Sequence, residues 1–228
     1  MLNRLNIVCL LTYFLLISCK PVKKEIHIAN HSNHSNHSNT VITEDSISSD
    51  TVIIDSHYTF EEAIAGTKAP KEIINQLELI DVQYYSTDKK LHNGQILTNK
   101  ALANDLKEIF NFILESKFTI KHAIPVVKYH WFDDLSMQDN NTYSFCYRNE
   151  AFSKHAAGMA IDVNPFFNPV RWKEIYEYRS DKPEEAHRDT TVNGTFYASH
   201  PVVQEFKNRG FFWGHDFKAK YDDHHFEK

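Results

Sequence analysis

Between Ser153 and Asn164 the chain reads Ser-Lys-His-Ala-Ala-Gly-Met-Ala-Ile-Asp-Val-Asn. After Gly158, the residues Met159, Ile161 and Val163 alternate with Ala160, Asp162 and Asn164. In a strand the first set faces a core and the second set faces the other way. Asp162 therefore emerges among small or polar neighbours, as an open cleft requires. Gly158 permits a tight turn, and that turn lets His155 fold back toward the face that carries Asp162. Seven residues of straight strand would keep the two side chains apart; seven residues with a turn bring both to one ion.

A second histidine–carboxylate unit, Asp222-Asp223-His224-His225-Phe226-Glu227, stands near the end of the sequence. Two imidazoles and one carboxylate are a sufficient protein set for a catalytic zinc, which keeps one position open for water. A spare carboxylate, Asp222, three residues before His225, offers a general base. Neighbours in a strand point to opposite faces, so only one of His224 and His225 is expected as ligand. In a regular strand Asp222 and His225 would also face opposite ways. Asp222 is therefore expected in a turn, with Asp223 as the reserve base.

The first eighteen residues read as an export signal. Arg4 supplies the positive start, the apolar run from Ile7 to Ile17 is too short to span a bilayer comfortably, and Ser18-Cys19 follows. Leu16-Ile17-Ser18-Cys19 resembles a bacterial lipobox, which implies removal of residues 1–18 and lipidation of Cys19. Two acyl chains would then anchor the protein stably to an envelope membrane, on the periplasmic side or at the outer membrane. The other readings of this segment are an ordinary secretory signal or an N-terminal membrane helix. With Cys9 removed and Cys19 lipidated, only Cys146 remains, so no internal disulfide is expected.

Residues 19–58 are expected to form a flexible tether. They include the repeat His31-Ser-Asn-His34-Ser-Asn-His37-Ser-Asn and too few apolar groups to build a core. The repeat is either a plain spacer or a weak metal-capturing tract. Residues 59–228 are expected to form one domain, and the sixteen Phe and eleven Tyr of the whole chain, most of them in this region, supply the bulk. A net charge of −5 without a basic stripe argues against nucleic acid as a partner, and a monomer is expected.

Within that domain Pro70–Ile80 reads as a helix and 81–86 as a strand. Asn93-Gly94 reads as a turn leading into a strand over 94–98. The strongest helix is Lys100–Ser116, where Leu102, Leu106, Ile109, Phe110 and Ile113 share one face and Asn99 caps the start. Further strands are expected at 119–128, interrupted by Pro125, and at 142–148, with a loop over 133–141 between them. A helix spans Ser199–Gly210, with an early proline and a terminal glycine. Short final strands are expected at 211–213 and 225–227. This mixture, without repeated strand–helix–strand units, indicates an α+β fold with an antiparallel sheet and flanking helices.

The pattern S-x-H-x-x-G-x-A-x-D, met at Ser153–Asp162, resembles the signature of the M15 zinc peptidases. That family includes D-alanyl-D-alanine carboxypeptidases and dipeptidases. Asn164-Pro165-Phe-Phe-Asn168-Pro169 is similar to the subfamily of L-alanyl-D-glutamate endopeptidases and phage endolysins. The tail from Gly210 to Phe226 and the run from Asn140 to Arg148 resemble the same subfamily. The resemblance implies an α+β zinc fold shared with the hedgehog signalling domain, and one Zn2+ ion. By position it implies His155, Asp162 and His225 as zinc ligands, Asp222 as general base, and Arg148 as the group that stabilises charge on the substrate. The family's D-x-x-H spacing favours His225 over His224. Ser153 would bond the substrate or orient His155, and Trp213 is placed on the substrate side, its alternative being the core beside Phe211 and Phe212. His215 stands where relatives often carry glycine; it is expected to line the cleft, to orient Asp222, or to lie on the surface. Asp133 and Asp134 either shape the cleft rim or form a solvated acidic loop.

The resulting expectation is a lipid-anchored envelope enzyme that hydrolyses a bond in the peptidoglycan stem peptide. The competing class is a non-catalytic envelope module that binds cell-wall peptides or zinc. A degenerate module of that kind would usually lack a ligand or the base, and here every position is filled.

Overall fold

The computed structural model describes residues 52–148, 153–176 and 178–228. The expected signal segment, Cys19 and the histidine repeat lie outside the described residues. No helix among the described residues is long and apolar enough to cross a membrane.

The folded body begins ahead of the expected boundary at residue 59. Strand β1 (Ile53–Ile54) pairs in parallel with His92 and Asn93, and the Tyr58 backbone N–H donates to Gln95 Oε1 at 2.7 Å. Two short helices follow, α1 (Phe60–Ala63) and α2 (Lys71–Ile74). Thr59 and Glu62 form a capping box on α1, each side chain bonding to the other's backbone N–H.

The helix expected over Pro70–Ile80 stops at Ile74, and Leu77 opens strand β2 (Leu77–Tyr85). Ile73, Ile74, Leu77 and Ile80 fit a helical face, but Ile80, Val82 and Tyr84 fit a strand equally well. Pairing decides between them: β2 runs antiparallel to β3 (Leu91–Asn99) in unbroken register from Leu77↔Asn99 to Tyr85↔Leu91. The hairpin turn lies at 86–90, not at Asn93-Gly94. Gly94 sits inside β3 because the chain passes so close there; a Cβ would come 2.3 Å from the Ala123 carbonyl.

Helix α3 (Lys100–Glu115) forms as its periodicity indicates. Asn99 Oδ1 accepts from the Ala101 N–H at 3.0 Å, and Leu102, Leu106, Ile109, Phe110 and Ile113 are buried. The strand expected over 119–128 shrinks to β4 (His122–Ala123), because Pro125 leads into a 3-10 turn at Val126–Tyr129. The expected loop over 133–141 contains a helix, α4 (Asp133–Gln138), whose first-turn Asp133 and Asp134 suit the helix dipole. Only β5 (Asn141–Thr142) of the strand expected over 142–148 is regular, and it pairs in parallel with β4.

The C-terminal half contributes β6 (Ala160–Asp162), β7 (Val170–Trp172), helix α5 (Pro201–Asn208), β8 (Phe212–Trp213), β9 (Lys220–Asp222) and β10 (His225–Glu227). Strand β10 runs antiparallel between β6 and β8, and β7 pairs antiparallel with β9. The fold is thus α+β, mostly antiparallel, but divided into several small sheets rather than one. Its main core lies where α3 and α5 meet the inner faces of β2, β6, β8 and β10. Phe206 and Phe226 stack there at 4.0 Å, and each fully buried ring contributes about 1.5–3 kcal/mol. Cys146 is buried as expected; burial pushes its thiol up to about 12, which leaves it inert.

Candidate functional site

Strand alternation around that core positions the site. On β6, Ile161 points into the core and Asp162 points away from it; on β10, Phe226 takes the core and His225 and Glu227 take the opposite face. The register makes Asp162 and His225 direct cross-strand partners. His225 Nδ1 consequently lies 2.9 Å from Asp162 Oδ1. The third member arrives from a 3-10 turn, Lys154–Ala157, closed by Gly158 at φ +67°. His155 Nε2 lies 3.1 Å from Asp162 Oδ1 and 3.1 Å from His225 Nδ1.

The outer nitrogens of both rings are already engaged. His155 Nδ1–H donates to the Ser144 carbonyl at 2.7 Å, which leaves its Nε2 lone pair for the cleft. His225 Nε2 faces Glu227 Oε2 at 3.0 Å, which leaves Nδ1. Two imidazole nitrogens and a carboxylate oxygen thus converge within 4.8 Å of one another. This donor set suits a divalent cation of the zinc type, with a carbonyl and a carboxylate behind the two rings as such sites require. The local field favours positive charge as well. Burial alone would raise the Asp162 pKa, but His155, His224 and His225 hold it well below the usual carboxylate range. Burial alone would lower His225, yet Asp162 and Glu227 push it up to about 10.

The site opens into a cleft of about 930 Å³ lined by Arg148, Ser153, Trp172, Phe217, Lys220 and Asp222 among others. Asp222 closes β9, immediately before the two-residue turn Asp223–His224, and is buried. Its Oδ1 faces His224 Nε2 at 3.0 Å, and its Oδ2 pairs with Lys220 Nζ at 2.7 Å. Burial tends to raise its pKa, but His224, His225 and Lys220 outweigh that and keep it low, so Asp222 is ionised at neutral pH. Arg148 reaches the cleft with Nη2 2.7 Å from Asp133 Oδ2, while its Nε is buried without a partner. Asp133 and Asp134 both line the cleft.

The neighbouring histidine occupies a separate position. His224 Nδ1–H donates to the Asn168 carbonyl at 2.7 Å, and its Nε2 faces Asp222 rather than the His155–Asp162–His225 group. It still approaches Asp162 Oδ2 to 3.7 Å, so adjacency in sequence does not send it wholly away from the cleft. The strand begins only at His225, and the strict alternation expected for the pair does not extend back into the turn. Asn168, from the Asn-Pro-Phe-Phe-Asn run, also donates from Nδ2 to the Gly194 carbonyl at 2.9 Å, tying the wall behind His224 to the 194–196 segment.

Three further placements correct the sequence reading. Trp213 is no substrate wall: it is 1 % exposed, packs in the core and donates from Nε1 to the Asp223 carbonyl at 2.9 Å. Strand pairing with Phe226 turns it inward, leaving Phe212 as the exposed neighbour. Asp223 is not available as a base, because arginines and His215 surround its carboxylate. His215 neither lies free on the surface nor touches Asp222; it stacks on Trp213 at 4.4 Å and its Nδ1 lies 2.6 Å from Asp223 Oδ1. Sequence reasoning also passed over Glu227. Its signal was the spacing His225-x-Glu227, which places both side chains on one strand face.

Residues 147–228, a stretch that contains all of these side chains from Arg148 to His225, match the family model described as D-alanyl-D-alanine carboxypeptidase, one of the M15 peptidase models. A search of curated proteins and a search of solved structures each found no match.

Proposed function

From the match of residues 147–228 to the M15 peptidases, we propose that this chain is a zinc-dependent peptidase acting on the stem peptide of peptidoglycan. The observation that carries the reading is the convergence of His155 Nε2, Asp162 Oδ1 and His225 Nδ1 in a cleft that also holds the ionised Asp222. On this reading the α+β arrangement is the one the family shares with the hedgehog signalling domain, and the enzyme is carried by lipidated Cys19 on an envelope membrane. A tether of about thirty-five residues would give the domain a mean reach of roughly 30 Å.

His155, Asp162 and His225 would hold the ion. When bound, zinc supplies Lewis acidity, which acidifies water and polarises a carbonyl. Asp222 Oδ1 accepts the proton that a water in the cleft loses as its oxygen attacks the amide carbon. The same carboxyl then delivers that proton to the departing amine, so no covalent enzyme intermediate forms. Arg148 lines the cleft and stays charged at any physiological pH, and its guanidinium would stabilise the oxyanion that develops on the substrate. Ser153 lines the cleft at the mouth of the His155 turn and would bond the peptide. D,D-carboxypeptidase and L-Ala-D-Glu endopeptidase activities would use this same constellation.

Incubation of purified muropeptides with the protein, with and without chelator, followed by mass spectrometry, tests the proposal. Loss of a terminal D-alanine marks the carboxypeptidase, and release of stem-peptide fragments marks the endopeptidase. Absence of any chelator-sensitive cleavage sinks the enzymatic reading.

A further inference from the structure

The turn between β9 and β10 is gripped from behind by a buried carboxylate and its partly buried partners, which the proposed chemistry does not use. Asp223 is fully buried. Its Oδ2 accepts from Arg171 Nε at 3.0 Å and Nη2 at 2.8 Å, and Arg188 Nε lies 3.2 Å from the same oxygen. Its Oδ1 faces His215 Nδ1 at 2.6 Å, and its backbone carbonyl accepts from Trp213 Nε1 at 2.9 Å. These partners come from β7, the 186–190 segment, the 3-10 turn Gly214–Asp216 and β8. Two permanent cations on one carboxylate exceed what neutralising a single buried charge requires.

The geometry gives this cluster a task. Asp222 lines the cleft, whereas the carboxylate of the adjacent Asp223 lies outside it against Arg171, Arg188 and His215, so holding one sets the direction of the other. Asp222 is also wedged by Gly214: a Cβ there would come 2.8 Å from both Cβ and O of Asp222. The turn is thus pinned on the Asp223 side by ion pairs and on the Asp222 side by close backbone packing. Two residues after Asp223, the same chain delivers His225 to Asp162.

We propose that Asp223 is the positioning residue of the site, its hydrogen bonds to Arg171 and its close contacts with Arg188 and His215 fixing the β9–β10 turn so that Asp222 and His225 address one cleft. This rests on the reading of His155, Asp162 and His225 as metal ligands and Asp222 as base. It differs from a general stabilising role in one respect: loosening the cluster should cost metal affinity and turnover in protein that is still folded.

The test uses the full-length protein, wild type beside Asp223→Asn and Arg188→Met. Zinc affinity is measured by competition with a chromogenic chelator, folding by far-ultraviolet circular dichroism and thermal unfolding, and kcat and KM on a muropeptide. Asp223→Asn is expected to keep the native spectrum, to bind zinc about 10-fold more weakly or worse, and to lose kcat with little change in KM. Arg188→Met, which removes one of the two cations, should move both quantities the same way by less. Variants that melt earlier but keep wild-type zinc affinity and kcat would overturn the proposal in favour of a purely structural cluster. If Asp223→Asn does not fold, Arg188→Met decides alone by the same two readouts. Wild-type protein that binds no zinc sinks the ligand reading first, and this inference with it, before any variant is compared.

Discussion

Glu227 Oε2 lies 3.0 Å from His225 Nε2, on the ring edge opposite Asp162. The carboxylate therefore selects which nitrogen of His225 faces the cleft and holds the ring's rotation. A carboxylate behind a ligating histidine also raises the basicity of the nitrogen that binds the metal. Replacing Glu227 by Gln keeps an acceptor but removes the charge. Zinc affinity in chelator competition is expected to fall about 10-fold to 100-fold, with the circular dichroism spectrum unchanged. An unaltered affinity would leave Glu227 a surface residue with no part in the site.

The proposed roles make Asp222 a base and not a ligand. Asp222→Asn keeps the side-chain shape and removes the proton acceptor, so kcat on a muropeptide should fall by about 10²–10⁴-fold. Zinc should remain bound at one ion per chain, as read by elemental analysis of dialysed protein. Loss of the ion along with activity would make Asp222 a ligand and leave the base unassigned.

How far the site was legible depended on whether its information was local. The alternation Met159–Asn164 around Asp162, and the single turn at Gly158, are short-range patterns, and the structure follows them. The alternation at His225-Phe226-Glu227 is equally local, and Phe226 does take the core face. What failed to show in the sequence were choices made by distant partners. Ile73 to Ile80 satisfies helix and strand alike, and only pairing with Ile96–Asn99 resolves it. Trp213 looked like a wall because nothing local reveals that Phe226 lies opposite it in the sheet. Asp223 resembled a spare base because the arginines that consume its carboxylate stand at positions 171 and 188. Charge partners carry no periodicity, so a sequence read alone leaves them as loose charges.

A second ionic cluster lies on the first sheet. Asp55 accepts from the Tyr84 hydroxyl at 2.5 Å and meets His92 Nδ1 at 2.9 Å, with His122 Nδ1 at 3.8 Å. Burial tends to raise the Asp55 carboxyl, but His122, Tyr84 and His92 together outweigh it and hold its pKa below the ordinary value. A carboxylate whose pKa is lower folded than unfolded adds stability above its unfolded value, near about 4, and loses it as pH falls through the folded value. Urea midpoints measured from pH 6 down to about 2.5 should therefore drop across the acid end of that range. Asp55→Asn should be less stable at pH 6 and lose less on acidification; parallel curves for the two proteins would rule the cluster out as a source of the acid sensitivity.

Gly158 links the turn that presents His155 to the sheet beneath it. Its φ of +67° lies in the left-handed region, and a Cβ would come 2.7 Å from the Asn99 backbone nitrogen. Its carbonyl also accepts from the Asn99 N–H at 3.1 Å, so the turn cannot back away without breaking that bond. Gly158→Ala meets both the left-handed strain, about 1–2 kcal/mol, and the cost of overpacking, about 1–3 kcal/mol. Unfolding midpoints should register a loss of about 2–5 kcal/mol. Because the same turn aims His155 Nε2, zinc affinity should weaken in whatever fraction remains folded. A Gly158→Ala protein with wild-type midpoint and wild-type zinc affinity would show that the turn has room to relax and that His155 is held by Ser144 alone.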